Sequence, residues 1–282
     1  MTTVALHMLR VGACRHLECM AARGGRWKRV DFPALCGLIH HPQHGWMLYD
    51  TGYADHFFSA TAHWPERLYR STLPIDLPAN EVLLTQLAGF GLTPADIGLV
   101  IVSHYHGDHI AGLRDFPNAR FIALAADTEH FGRCVGKRWR ATLAGHLPGL
   151  LPPDYFSRVT AADDFPRREL PRWLAPFTQG FDLLGDGSLM GVPLSGHSHG
   201  QLGLFLHDAG GRPAFLVGDA CWSLPALREG RLPAIPAMFI SAEKGRYVET
   251  FEGLAGIARR EGALALLPSH CPVAWQEYRD AS

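Results

Sequence analysis

Ser103-His104-Tyr105-His106-Gly107-Asp108-His109-Ile110-Ala111-Gly112 packs three imidazoles and a carboxylate into six positions, directly after the apolar run Ile97-Gly98-Leu99-Val100-Ile101-Val102. The run reads as a buried strand and Ile110 onward as the start of a helix, so the cluster occupies a strand-to-helix loop, where active sites collect. Alternation on an extended backbone points the rings of His104 and His106 the same way. Histidine and aspartate are borderline-hard donors that suit zinc and other divalent metals. The cluster therefore reads as a metal site. The competing reading, solvated histidines in a polar turn, conflicts with how rarely polar side chains crowd a strand end without partners.

The chain of 282 residues is 47% hydrophobic and 19% charged, with a formal net charge of −1. That describes one large α/β domain over residues 1–282, with no composition shift to divide it and no global basicity to suggest a nucleic-acid partner. Sixteen histidines are compatible with a polynuclear metal centre. The first ten residues lack a basic region followed by an apolar segment, and no apolar run reaches transmembrane length. Cys14, Cys19, Cys36, Cys134, Cys221 and Cys271 show no paired spacing, so neither a disulfide framework nor a zinc knuckle is expected. These features predict a cytoplasmic protein acting on a small molecule rather than at a membrane; they leave oligomeric state open.

Along the chain, Val4 to Val11 predicts a strand, Cys14 to Asp31 an exposed Arg/Gly/Lys-rich excursion, and Phe32 to His41 with Trp46 to Tyr49 a hairpin ending at Asp50-Thr51-Gly52. Helical spacing covers Pro78 to Gly91, and Thr93-Pro94-Ala95-Asp96 forms a capped turn before the key strand. Phe121 to Leu124 and Ala125 to Val135 predict a strand and a helix. Residues 136–180, rich in proline and aromatics, predict a covering segment. Short strands follow at Phe181 to Leu184, Leu189 to Leu194, Leu202 to His207 and Pro213 to Val217. A helix over Lys244 to Arg260 should bury Val248, Phe251, Leu254 and Ile257. A last strand, Ala263 to Leu267, closes at His270.

Three further strand ends repeat the polar pattern: Gly196-His197-Ser198-His199, Gly218-Asp219, and Ser269-His270. Each is weak alone, yet ligands in α/β folds gather beyond strand ends, so four such ends in one chain could share a centre. With Asp50-Thr51-Gly52 and His104-Tyr105-His106-Gly107-Asp108-His109, in that order, the chain resembles the metallo-β-lactamase-fold hydrolases, with a ligand set close to the acyl-homoserine lactonase and glyoxalase II-like members. The resemblance runs from about Asp50 to His270 and implies a four-layer αββα sandwich.

It further implies two Zn2+ ions, or Fe, Mn or Co in their place. His104, His106 and His197 would bind one metal and Asp108, His109 and His270 the other, with Asp219 between them and Asp50 orienting the histidine loop. Such a pair supplies a hydroxide near neutral pH. Asp108 and Asp219 become the candidate catalytic carboxylates, Asp108 also as a proton donor to the leaving group. The expected activity is cleavage of a carboxylic ester or lactone; a thioesterase, a phosphodiesterase or a di-iron redox protein of the same fold are the alternatives. Lactonases of this family usually carry a tyrosine three residues beyond the bridging aspartate, where this chain has Trp222, and His199 stands where proline is common. Trp222, Trp139, Tyr155 and Arg138 are candidate substrate contacts. Arg133, Lys137, Arg138 and Arg140 form either an anion clamp or a solvated helix end.

Overall fold

The protein is described by a computed structural model covering residues 2–281. Its strands in chain order are β1 Ala5–Leu17, β2 Arg29–His41, β3 Gly45–Tyr49, β4 Ile75–Asp76, β5 Ile97–Ile101, β6 Arg120–Ala123, β7 Val159–Ala161, β8 Arg167–Glu169, β9 Gln179–Asp182, β10 Leu189–Pro193, β11 Leu202–His207, β12 Pro213–Gly218 and β13 Ala265–Pro268. One mixed sheet of seven strands has the order β4-β1-β2-β3-β5-β6-β7, and a second of six has the order β13-β12-β11-β10-β9-β8. Period-two alternation divides their side chains between two cores. Leu35, Ile39, Met47, Tyr49, Ile101 and Ile122 point into the space between the sheets, against residues such as Leu204, Phe215 and Leu266. Leu38, Leu48, Val100 and Phe121 point the other way, against Phe57, Leu87 and Phe131 of the outer helices. The result is the αββα sandwich that the family resemblance implies.

Strand direction explains why the polar ends meet. β3, β5, β6 and β7 are mutually parallel, so their C-termini share one edge. In the second sheet β10 and β12 both run antiparallel to β11, and β13 runs parallel to β12, so those three also end at one edge. The edges are joined by buried hydrogen bonds: Leu202 N–H to the Ser103 carbonyl at 2.8 Å, Leu35 N–H to the Ser269 carbonyl at 2.9 Å, and the Tyr49 hydroxyl to the Leu202 carbonyl at 2.8 Å.

Several boundaries differ from expectation. The stretch from Cys14 to Asp31 is exposed over most of residues 23–29 but is regular rather than an excursion: β1 and β2 form an antiparallel pair reaching Leu17 and Arg29, with the short helix Glu18–Ala21 at its tip. Local composition misled here because the hairpin tip is secured from afar, by Arg23 N–H to the Leu232 carbonyl and Ala234 N–H to the Met20 carbonyl. The helix expected over Pro78 to Gly91 is confined to Leu83–Gly89. The helix after β5 starts at Gly107, inside the histidine cluster rather than after it. Residues 136–180 divide in two. A first part, with the helix Arg138–Leu143, reaches the cluster, while the rest supplies β7 to one sheet and β8 with the start of β9 to the other. The helix Lys244–Arg260 buries Tyr247, Phe251, Leu254, Ala255 and Ile257, with Val248 at its margin. No helix among the described residues is long and apolar enough to cross a membrane.

The turn carrying His197 is seated on the start of that last helix. Ala242 N–H donates to the His197 carbonyl at 3.0 Å and Glu243 N–H to the Gly196 carbonyl at 2.9 Å. Gly196 has φ +133°, and a Cβ there would overlap the backbone of Tyr247. Gly91, at φ +73°, faces open space. Gly196→Ala should therefore cost at least about 2 kcal/mol, from strain plus overlap, and Gly91→Ala about 1 kcal/mol. Thermal unfolding of the two variants checks this; equal melting temperatures would remove the packing argument.

Candidate metal centre

The centre is built around Asp50, which follows β3 and has φ +60°, unlike any other non-glycine residue among those described. That conformation costs an L-residue about 1–2 kcal/mol. Here it aims both carboxylate oxygens at the histidine loop. Oδ1 accepts the Ser103 N–H at 2.7 Å, and Oδ2 accepts the Ser103 hydroxyl at 2.7 Å and His109 Nδ1–H at 2.8 Å. Thr51 adds N–H and hydroxyl bonds to the His109 carbonyl at 2.8 and 2.9 Å.

Two groups of donors result. His104, His106, His197 and Asp219 bring one ligand atom each within 4.8 Å of one another, and Asp108, His109 and His270 do the same. In the first group, His106 Nδ1 lies 3.0 Å from His104 Nε2 and 3.0 Å from His197 Nε2. One proton cannot satisfy three converging nitrogens. Their spacing approaches the roughly 3.3 Å between nitrogens that share a tetrahedral zinc ion. Asp219 lies between the groups: Oδ2 is 3.3 Å from His197 Nε2, while Oδ1 is 3.4 Å from His109 Nε2 and 3.2 Å from His270 Nε2. Asp108 Oδ2 is 3.3 Å from His270 Nε2. Asp219 Oδ1 and His109 Nε2 are buried without a hydrogen-bond partner, as expected of atoms that serve a cation.

Most rings are fixed through their opposite nitrogen, as metal-binding histidines generally are. His104 Nδ1 meets the Ser103 hydroxyl at 3.0 Å, and His270 Nδ1–H donates to the Pro33 carbonyl at 2.7 Å. The outer edge of His106 packs against Gly145, where a Cβ would come within 2.9 Å of Nε2. The electrostatics divide the same way as the donors. Burial pushes His104 well below the ordinary imidazole value, with help from His109 and His106, and pushes His197 down to about 3. Neutral rings keep the lone pair that a metal takes. Burial opposes charge on His109 and His270 too, but Asp219 and Asp108, with Asp50 at His109, raise both. Burial likewise opposes charge on Asp219, and His270 and His109 nonetheless hold its carboxyl well below the usual range. The negative charge gathered here favours a bound cation.

Two cavities meet over these groups. One of about 500 Å3 is bounded by Leu68, Leu143, Gly145, His146, His199 and Phe239, and one of about 280 Å3 by Met20, Phe32, Trp222, Ala237, Asp108 and His270. Tyr69, Leu73, His106 and Ile240 line both. Tyr69, from the helix Arg67–Thr72, was not apparent in the sequence; its hydroxyl donates to Asp108 Oδ1 at 3.3 Å. Burial and the Asp108 charge push that phenol well above its ordinary value, so it remains a donor. No motif marked it, because a tyrosine on an irregular segment carries no spacing signal.

Trp222 lines the smaller cavity as expected, with its indole N–H donating to Asp219 Oδ2 at 2.9 Å. Three other expectations are corrected. Tyr155 is fully buried beneath the site, its hydroxyl bonded to that of Tyr105 at 2.8 Å, because apolar packing on β6 claims its ring. Arg138 turns away to Glu66, at 2.7 and 2.9 Å, and Trp139 is 60% exposed on the same short helix. Arg133 pairs with Glu129, and Lys137 and Arg140 are exposed, so no anion clamp lines either cavity among the described residues.

A family model described as the metallo-beta-lactamase superfamily matches residues 29–220. N-acyl homoserine lactonase AttM of Azorhizobium caulinodans is 27% identical over 289 residues, covering 100% of this chain and 98% of that protein. N-acyl homoserine lactonase AiiB of Agrobacterium fabrum is 31% identical over 212 residues, covering 72% of this chain and 70% of that protein. A solved N-acyl homoserine lactone hydrolase, with the product N-hexanoyl-L-homoserine at its catalytic metal centre, superimposes with a TM-score of 0.70 at 16% identity, covering 100% of this chain and 97% of that one. The sequence match, the fold and the donor groups agree: the chain belongs to the metallo-beta-lactamase superfamily.

Proposed function

We propose that this protein is a dinuclear-metal lactonase whose substrates are lactones bearing an apolar acyl chain, of the N-acyl homoserine lactone kind. The observation that carries the proposal is Asp219, with one carboxylate oxygen facing each of two adjoining donor groups, in a chain similar over its whole length to named lactonases. His104, His106 and His197 would hold one ion and Asp108, His109 and His270 the other. Zinc suits this set of imidazoles and carboxylates. When bound, such a pair acidifies water and polarises a carbonyl. The reading extends to a reducing, cytoplasmic setting, which six free cysteines support.

The remaining steps belong to the chain's own residues. Hydrolysis adds water across the acyl C–O bond: hydroxyl goes to the carbonyl carbon, and the ring oxygen departs and takes up a proton. Asp108, whose side chain is 12% exposed at the cavity floor, would take the proton that the attacking water releases and deliver it to the ring oxygen. Tyr69 would turn its hydroxyl from Asp108 to the substrate's carbonyl or amide oxygen, while Trp222, with its N–H on Asp219, would hold that carboxylate in place. Met20, Phe32, Leu73, Trp222 and Ile240 offer an apolar wall for the acyl chain. Arg138 and its basic neighbours lie outside both cavities, which counts against a phosphodiester.

Three outcomes are expected. Across a panel of acyl homoserine lactones, thioesters, aryl esters and phosphodiesters, lactones should give the highest kcat/KM. That value should rise with acyl length, by up to roughly fourfold per buried methylene; a preference for phosphodiesters would refute the assignment. Asp108→Asn should lower lactone hydrolysis by at least about 100-fold, and Tyr69→Phe by about tenfold in kcat/KM with unchanged metal content. Full rates in both variants would show the roles to be wrong. Chelation should abolish activity and lower the melting temperature, since the ions would bind only the folded donor set.

A further inference from the structure

A second cluster of metal-binding side chains stands beside the first. His130 and Cys134 lie one turn apart on the helix Ala125–Cys134, hence on one face, and His146 comes from the loop after Arg138–Leu143. One ligand atom from each lies within 4.8 Å of the others. Cys134 is fully buried and forms no disulfide. His146 is 4% exposed, and its Nδ1 is buried with no hydrogen-bond partner. A thiol and an unpartnered imidazole nitrogen buried side by side are costly as packing alone and ordinary as ligands.

We propose that His130, Cys134 and His146 bind one further divalent cation of the zinc class, separate from the dinuclear centre. Thiolate and imidazole together select a borderline-soft ion rather than magnesium or calcium, and three protein ligands leave one position of a tetrahedron. The cavity of about 500 Å3 reaches this point, so water can fill that position. His199 flanks it, its ring 4.1 Å from that of His130 and its Nδ1 3.7 Å from Glu243. Binding displaces the thiol proton to solvent and involves no change of oxidation state.

The ion would have a structural effect. Residues 134–146 become a loop closed at both ends, and that loop carries the glycine at 145 that leaves room for the His106 ring. The site would therefore pin the backbone that orients a ligand of the neighbouring centre. This inference rests on its own three residues and stands whatever the substrate proves to be.

The test uses the full chain produced with zinc and desalted. Wild type should hold one more zinc equivalent than Cys134→Ser and than His130→Gln, counted by elemental analysis, whatever the absolute number. Wild type produced with cobalt should show a near-ultraviolet thiolate-to-cobalt charge-transfer band that Cys134→Ser lacks. Equal zinc content in all three proteins, or a cobalt-loaded wild type without that band, would overturn the proposal. The wild-type spectrum decides the matter even if a variant fails to fold.

Discussion

One buried carboxylate holds the candidate centre together. Asp50 receives three short hydrogen bonds, two from Ser103 and one from His109. Those bonds set the backbone position of β5's end, the side chain that meets His104, and the orientation of His109. Charge-assisted bonds inside a protein are strong, and an unpaired partner there is correspondingly costly. A neutral residue at position 50 would thus disturb both donor groups at once, because Ser103 reaches His104 on one side while Asp50 reaches His109 on the other. The strained φ of Asp50 is consistent with this: the position is held by its bonds rather than by backbone preference.

The individual strands were legible in the sequence because they depend on local periodicity, whereas the four-layer arrangement followed only from the family resemblance. Strands buried on both faces give continuous apolar runs such as Ile97 to Val102, and the polar residues that follow them are conspicuous. The donor groups were legible only jointly. His197, Asp219 and His270 each look like ordinary turn residues, and they meet because β10, β12 and β13 run the same way. What stayed hidden depends on contacts between distant segments. Tyr69 reaches Asp108 from an irregular helix 39 positions away, and Met20 reaches the cavity only because the hairpin tip is bonded to residues 232 and 234. Tyr155 and Arg138 misled for the converse reason. A tyrosine of the expected covering segment was claimed by the core, and an arginine found a nearer carboxylate.

The two cavities divide the work that a lactone would require. The smaller is lined by Asp108, Trp222 and His270 with apolar neighbours, so an ester and its chain would be recognised against one wall. The larger opens past Leu143 and Phe239, which are 74% and 70% exposed. The ammonium of Lys244 lies 3.7 Å from the Phe239 ring centroid, which holds that ring against the end of the long helix.

The segment between Cys134 and His146 links these features. It forms part of the larger cavity's wall, packs Gly145 against the His106 ring, and is bounded by two residues of the second cluster. Its helix Arg138–Leu143 is only six residues long and exposed over much of its surface, too short to be stable without tertiary contacts. Arg138 bonds it to Glu66 at one end, and His146 anchors the other. Motion of this loop would alter the cavity and the orientation of His106 together, since the two share a backbone. Access to the larger cavity and the position of His106 would therefore be coupled through a stretch of chain that contributes no residue to either donor group.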